Sequence, residues 1–261
     1  MADVLTHMFA NLSPADSKKD FVTPAPAECG VLIVGEQSLG RSLLLLTAVT
    51  AASQGGMKVV FFAPQQIQSL PASLQKCVPS LSPESLKKIT FCYPRTAEEL
   101  RRQIAGLHES SSTFPPSLII VDRLEDYPCD GHSGHHPGEQ SRAAHLAALL
   151  RDTAAFLTSL LERQTSSTAP CRIIASYKPK EDGADSDPVL DAFDRYFQLQ
   201  CTLDQDRSYK ATDAGRQEAW RVYFSGTGVA REPRTEDFEV RPGLEWQLLM
   251  FPDGSIAFKV A

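Results

Sequence analysis

The stretch Val31-Leu32-Ile33-Val34-Gly35-Glu36-Gln37-Ser38-Leu39-Gly40-Arg41-Ser42 decides the fold of this 261-residue chain. Its four consecutive apolar residues are typical of a strand that is buried on both faces of a parallel sheet. A segment with two glycines follows, and residues 43–53 then show a helical pattern. A strand, a glycine loop and a helix in this order form a common phosphate-binding arrangement, because the N–H groups at the helix start point toward the anion.

The spacing G-x-x-x-x-G-R-S differs from the phosphate-binding P-loop at one position, where Arg41 stands in place of Lys. We expect Gly35 and Gly40 to turn backbone N–H groups inward. We expect Arg41 to neutralise phosphate charge and the Ser42 hydroxyl to bind Mg²⁺. The Arg fork is wider than an ammonium group and fits less well between two phosphates. The pattern therefore predicts weak or vestigial binding of ATP and Mg²⁺, or a relic loop that only joins a strand to a helix.

A second candidate for the Mg²⁺ side of this site is Asp122, which follows the apolar residues 118–121. A P-loop followed by an apolar strand that ends in Asp places a carboxylate near the metal. Glu125 and Asp126 could assist, although a solvated loop is the simpler interpretation of their positions. The sequence thus predicts that Ser42 and Asp122 face the metal from two different elements.

Hydrolysis also requires a group that activates the attacking water. ATPases of this layout carry a Glu just after the second strand, where this chain has Pro64-Gln65-Gln66. A Gln side chain orients water but does not accept its proton at neutral pH. We name no catalytic residue, and we expect a weak ATPase activity at most.

Composition excludes several classes of function. The net charge of −6 argues against a broad electrostatic grip on nucleic acid. No apolar run approaches the roughly 20 residues of a membrane helix, and the N-terminus lacks a secretory layout. The six cysteines are scattered, so we expect them to be reduced and mostly buried. Cys129, His132, His135 and His136 lie close together, but in a Gly/Pro-rich loop with no second cysteine pair, so we expect no zinc in this chain.

Basic residues near the carboxyl edge of the predicted sheet are the candidates for contact with single-stranded DNA. They are Arg172, Lys178 and Lys180, with the Tyr177 ring available for base stacking. Arg195 lies near the same edge. The loop that follows carries four acidic residues, which largely cancel the positive field, so a solvated loop is the simpler interpretation.

The remaining pattern predicts an arm over residues 1–29 that is either flexible or docked on a neighbouring surface, and one α/β domain over residues 30–261. Strands are predicted at 59–62, 89–93, 118–121 and 172–175. Helices are predicted at 96–108, with Thr96 as N-cap and Glu99 as the capping-box residue, and at 140–164. Four further strands, at 196–203, 219–224, 244–251 and 256–260, follow without intervening helices, the last two joined by a turn at 252–254. Strand–helix alternation that gives way to hairpins predicts a mostly parallel sheet, flanked by helices, with antiparallel C-terminal strands.

Five segments together resemble one family, the SWIM-zinc-finger-associated ATPase-like subunit of the vertebrate Shu complex, which is a RecA-family recombinase paralogue. These segments are residues 86–94, 117–127, 149–156, 195–201 and 245–254. They are more specific than the P-loop, which many superfamilies share, and the resemblance covers about residues 30–260.

The resemblance implies a RecA-like P-loop domain in a nuclear protein that pairs with a SWIM-type zinc-finger partner. The pair would bind single-stranded DNA and support recombinase filaments and recombinase paralogues in homologous recombination. By position, Gly35, Gly40, Arg41 and Ser42 fall on the family's phosphate loop and Asp122 on its Mg²⁺-side carboxylate. The zinc would belong to the partner.

We expect the main role to be interaction within an obligate heterodimer, and three alternatives stay open. The first is a true DNA-stimulated ATPase in which Arg41 replaces Lys and another subunit supplies the base. The second is an unrelated P-loop NTPase or kinase, although no Arg-rich lid is visible. The third is a structural subunit that binds no nucleotide.

Overall fold

The structure is a computed structural model that describes residues 4–5, 8–9, 30–68, 82–109, 115–127, 138–165, 169–180, 187–206, 218–226, 245–251 and 256–260. Its strands are β1 Gly30–Val34, β2 Val59–Phe62, β3 Ile89–Cys92, β4 Leu118–Val121, β5 Arg172–Tyr177, β6 Leu199–Gln205, β7 Glu218–Ser225, β8 Glu245–Met250 and β9 Ile256–Val260. Its helices are α1 Gln37–Ser53, α2 Pro83–Leu86, α3 Ala97–Gly106, α4 Gly138–Thr165 and α5 Pro188–Asp194, and a 3-10 turn spans Leu124–Asp126.

The described strands form one sheet in the order β3-β2-β4-β5-β1-β6-β7-β8-β9. The strands from β3 to β6 in that order are parallel to their neighbours, and β7, β8 and β9 continue the sheet antiparallel. The predicted α/β class, with a mostly parallel sheet and antiparallel C-terminal strands, is confirmed. The central strands β1, β2 and β4 are apolar throughout because helices or loops cover both of their faces.

Two hydrophobic cores lie on opposite faces of the sheet. Alternate residues of β1 divide between them: Val31 and Ile33 belong to the first core, and Leu32 and Val34 to the second. Helix α1 packs into the first core, and α3, α4 and α5 pack into the second. Within the described ranges, no helix is both long enough and apolar enough to cross a lipid bilayer.

Helix starts follow local capping chemistry. The Thr96 side chain accepts a hydrogen bond from the Glu99 N–H, as predicted, while the Glu99 carboxylate accepts from the Arg95 N–H instead of closing a reciprocal box. Helix α5 was not predicted. Its signal was present in the sequence, because Asp187 caps the helix and Pro188 occupies its first position.

The start of α1 differs from the prediction. The pattern placed it at Leu43, after a loop, whereas the helix begins at Gln37 and includes Gly40, Arg41 and Ser42. The reason is local: Glu36 caps the helix with its own side chain, and the residues that follow it adopt helical geometry without strain.

The described part of the N-terminal arm packs onto the domain. Val4, Leu5, Met8 and Phe9 are buried in the first core. The Phe9 ring stacks on the Phe258 ring of β9 with centroids 4.4 Å apart. Of the two predicted alternatives, docking therefore describes these four residues, and the rest of residues 1–29 lies outside the described part of the chain.

We expect Phe9→Ala to lower the free energy of unfolding by about 3 kcal/mol, because it empties a fully buried aromatic site. Urea denaturation of the full chain measures this change. The control is Phe156→Ala on α4, whose side chain is 42% exposed and should cost less than about 1 kcal/mol. Equal effects of the two substitutions would show that the segment around Phe9 does not contribute to the core.

Candidate nucleotide-binding site

The sheet order brings the residues that follow β1, β4 and β5 together at the carboxyl ends of these strands, which we call the carboxyl edge. Strand β5 lies between β1 and β4, and all three run parallel, so their carboxyl ends meet. Gly35 follows β1, Asp122 follows β4, and Lys178 follows β5. Open α/β sheets bind their ligands at such carboxyl ends.

An ion pair joins Arg41 to Asp122 at this edge. The Arg41 Nε donates to Asp122 Oδ2 at 2.7 Å, and Asp122 is fully buried while the Arg41 side chain is 26% exposed. The other carboxylate oxygen accepts from the Ser176 hydroxyl at 3.2 Å. Burial raises the pKa of Asp122 above its usual value, and the Arg41 charge opposes this rise. The sequence predicted that Ser42 and Asp122 face a metal ion together, whereas in the structure Asp122 pairs with Arg41.

A second carboxylate lies at the start of α1. Glu36 Oε2 accepts hydrogen bonds from the Ser38 N–H at 2.9 Å, from the Leu39 N–H at 3.2 Å and from the Ser38 hydroxyl. Partial burial alone would raise the pKa of Glu36, but these hydrogen bonds and the nearby Lys178 charge together lower it. Glu36 therefore places a negative charge at the positive end of the helix.

Gly40 and Ser42 do not take the geometry expected of a phosphate loop. The Gly40 N–H donates to the Glu36 carbonyl at 3.0 Å, and the Ser42 hydroxyl donates to the Ser38 carbonyl at 2.8 Å. A methyl group at Gly40 would make only an ordinary contact, at 3.7 Å from the Ser176 Cβ. Both residues are ordinary members of α1 because the helix begins before them.

Gly35 is required for a different reason than the predicted one. Its φ is +150°, and a Cβ at this position would lie 2.6 Å from the Leu203 carbonyl oxygen of β6. Its N–H donates to the Tyr177 carbonyl at 3.1 Å. The close approach of β1 to its neighbour therefore demands glycine here.

Glu125 ties α1 to the end of β5. Its carboxylate accepts from the Gln37 side-chain amide at 3.1 Å and from the Lys178 N–H at 3.0 Å. Burial raises its pKa, which these hydrogen bonds oppose. The solvated-loop interpretation of Glu125 is wrong, because the 3-10 turn after β4 points this carboxylate inward between two elements that only the tertiary fold brings together.

Arg123 is a further residue of this edge that the sequence reasoning missed. It adopts the left-handed region with φ of 57°, uncommon for a non-glycine residue. Its N–H donates to the Ser176 hydroxyl at 2.8 Å, and its guanidinium pairs with Asp126. The strained backbone turns the chain sharply after Asp122, a feature with no signature in residue type.

These contacts decide whether ATP and Mg²⁺ fit the residues present. Glu36 accepts from three N–H groups of the first helical turn, those of Ser38, Leu39 and Gly40. The Ser42 hydroxyl has an acceptor within the helix, and Arg41 and Asp122 pair with each other. Among the described residues, no group of three or more His, Cys, Asp or Glu could hold a metal ion. Gln65 and Gln66 are exposed at the end of β2. In this arrangement the residues do not form a phosphate-binding loop.

The structure changes the predicted DNA face. Arg172 begins β5 and pairs in register with Leu118 at the start of β4, so it lies at the amino edge of the sheet, about 16 Å from the carboxyl end. Tyr177 is buried, and its hydroxyl donates to Asp187 at 2.7 Å, so its ring is not available for stacking. The prediction was wrong on both points, because position along a strand and burial depend on the whole sheet.

Lys178 and Lys180 do lie at the carboxyl edge. The Lys180 ammonium is exposed and pairs loosely with Glu139 at 3.4 Å, and Lys178 is half-buried. Arg195 ends α5. DNA binding by these residues stays a prediction.

Other motifs are accounted for by the fold or lie beyond the described residues. Phe258 is fully buried in β9, which agrees with the predicted terminal strand. The cluster of Cys129 and three histidines lies outside the described part, as does the turn at 252–254. The three cysteines within that part, Cys92, Cys171 and Cys201, are free thiols.

Comparison with known proteins gives relatives but no matching family model. The chain is 33% identical over 177 residues to ATPase SWSAP1 of mouse (Mus musculus), an alignment that covers 67% of this chain and 58% of the mouse protein. It is 32% identical over 178 residues to ATPase SWSAP1 of human (Homo sapiens), covering 67% of this chain and 72% of the human protein. The matched part of the chain therefore spans less than two thirds of the mouse relative.

A solved structure has the same fold. The crystal structure of the RadB recombinase superposes with a TM-score of 0.55 at 16% sequence identity, covering 88% of this chain and 90% of that chain. An identity this low supports the fold alone, and the family follows from the sequence relatives. The chain therefore belongs to the ATPase SWSAP1 family, and it has the predicted RecA-like fold, which it shares with the RadB recombinase.

Proposed function

We propose that this chain is a recombinase-paralogue subunit that supports homologous recombination through assembly with other proteins and not through ATP turnover. The observation that carries the proposal is the ion pair of Arg41 with the buried Asp122. In a P-loop ATPase these two positions serve the nucleotide and its metal. Here they stabilise each other, so the domain holds its shape without a ligand.

The proposed complex is of the Shu type. This chain forms an obligate heterodimer with a SWIM-type zinc-finger protein in the nucleus, and the pair binds single-stranded DNA and stabilises recombinase filaments. Membership in the ATPase SWSAP1 family and the RecA-like fold support this assignment. ATP binding is weak, and an active ATPase is the less favoured alternative because Gln65 and Gln66, not a Glu, follow β2.

The first test is assembly in the absence of nucleotide. We expect the full chain and its SWIM-type partner to co-purify as a stable complex without ATP, because the Arg41–Asp122 pair already orders the edge of the domain. Analytical ultracentrifugation with and without Mg²⁺ and ATP should give the same dissociation constant within about twofold. The proposal is wrong if assembly needs nucleotide, or if the chain alone is soluble, monomeric and fully competent to bind DNA.

The second test is the stability contributed by the ion pair. We expect Arg41→Leu to lower the free energy of unfolding by about 2 kcal/mol at neutral pH, less than for a fully buried pair because Arg41 is partly exposed. The substitution leaves a buried carboxylate without its counter-charge. Chemical denaturation measures the change, and the double variant Arg41→Leu/Asp122→Asn should recover most of the loss.

The same variant has a defined pH dependence. Burial raises the pKa of Asp122 in the folded state above its unfolded value, and removal of Arg41 raises it further. The folded variant therefore binds the proton more tightly than the unfolded chain. Its stability deficit should shrink as pH falls through the folded pKa and be largest above it. A deficit that does not change with pH would show that Arg41 acts through packing and not through charge.

The third test concerns DNA. We expect Lys178→Glu/Lys180→Glu to weaken binding of the purified complex to single-stranded DNA. The slope of the logarithm of the binding constant against the logarithm of salt concentration should fall in magnitude by about 1.4, the value for two lost phosphate contacts. Arg172→Glu is the matched control at the opposite edge of the sheet and should change neither quantity. Fluorescence anisotropy across a salt series measures both. If the control loses as much affinity, or if neither variant changes, this edge of the sheet is not the DNA face.

A further inference from the structure

We propose that Glu36 is a built-in competitor for phosphate, and that its carboxylate keeps the nucleotide affinity of this chain low. This inference deepens the proposed function and rests on it only in taking the start of α1 as the fold's phosphate position. It follows from a disagreement: the family's name implies a nucleotide, while the residues present leave no open place for its phosphates.

The first step is that the backbone N–H groups at the start of α1 already have acceptors. The opening turn of a helix leaves its N–H groups without partners inside the helix, and these groups hold phosphate in P-loop proteins. Here the Ser38 and Leu39 N–H groups donate to Glu36 Oε2 at 2.9 and 3.2 Å. The Ser38 hydroxyl donates to the same oxygen, and the Gly40 N–H donates to the Glu36 carbonyl.

The second step is charge. The Glu36 carboxylate already receives the favourable field of the helix end and of the Lys178 side chain. A phosphate at the same place would meet a like charge and would have to displace three hydrogen bonds. An uncharged capping residue could still accept these hydrogen bonds but would not repel an incoming anion, so the negative charge at position 36 sets the barrier.

The third step is that the Arg41 guanidinium takes the place that a cation would hold beside Asp122. The Arg41 guanidinium covers the Asp122 carboxylate at 2.7 Å, and Glu125 holds the Gln37 side chain at 3.1 Å. The edge thus has its own anion at the helix start and its own cation on the strand-end carboxylate. Each charge that a metal-bound nucleotide would bring already has an internal counterpart in the chain.

The experiment compares three substitutions in the full chain. Glu36→Gln removes the charge but keeps an oxygen that can cap the helix, Glu36→Asp keeps the charge, and Glu139→Gln removes a different carboxylate at the same edge. Isothermal titration calorimetry at low salt with inorganic pyrophosphate, and separately with ADP, gives the dissociation constants. We expect Glu36→Gln to bind both about tenfold more tightly than the unsubstituted chain. The other two variants should stay within about twofold of it.

A structural readout accompanies the titration. In Glu36→Gln the amide resonances of Ser38 and Leu39 should shift as pyrophosphate is added, and in Glu36→Asp they should not. If Glu36→Gln does not fold, Glu36→Ser supplies an uncharged cap with a strong natural preference for this position. Thermal unfolding of each variant without ligand confirms that the helix start is intact.

The outcomes separate cleanly. Unchanged affinity in the folded Glu36→Gln variant, or an equal gain in Glu139→Gln, would overturn the assignment of Glu36. Neither result bears on assembly with the partner, which is measured without nucleotide. Conversely, failure of the complex to form would leave the titration of the chain itself fully readable.

Discussion

The ion pair between the Arg41 guanidinium and the Asp122 carboxylate is the contact on which the carboxyl edge of the sheet depends. It joins α1 to the end of β4, and the Ser176 hydroxyl of β5 donates to the same carboxylate, so three elements that are distant in sequence meet at Asp122. A fully buried carboxylate without a counter-charge would be costly, because the protein interior solvates charge poorly. Arg41 and the Ser176 hydroxyl together supply the hydrogen bonds of the Asp122 carboxylate. The strained residue Arg123 comes directly after Asp122 in the chain.

The polar and charged side chains at the carboxyl edge of the sheet also find their partners within the chain. Glu36 satisfies the start of α1, and Glu125 bridges Gln37 to Lys178. In related folds such groups face a ligand, which makes the local structure depend on what is bound. Here they bind one another.

Aromatic packing joins the antiparallel half of the domain to the described N-terminal residues. Phe258 of β9 lies between the rings of Phe9 and Trp246, with centroids 4.4 and 4.9 Å away. Met8 reaches the Thr47 hydroxyl of α1 with its sulfur at 3.1 Å. The described N-terminal residues thus connect the last strand of the sheet to the helix that carries Arg41. Both halves of the domain therefore converge on α1.

The sequence by itself determined the strands and the class of fold. Runs such as residues 118–121 are apolar at every position, and only a strand covered on both faces needs that composition. It also determined the cap at Thr96, which follows from a local motif.

Only the tertiary structure decided what these residues do. The role of Glu36 depends on which acceptor binds the N–H groups at the helix start. Residue type alone does not identify that acceptor. Arg172 and Lys178 are six residues apart in sequence but lie at opposite edges of the sheet, and Tyr177 is buried by α5, a helix absent from the prediction. Side-chain partners are set by the packing of distant elements, and a linear pattern carries no information about that packing.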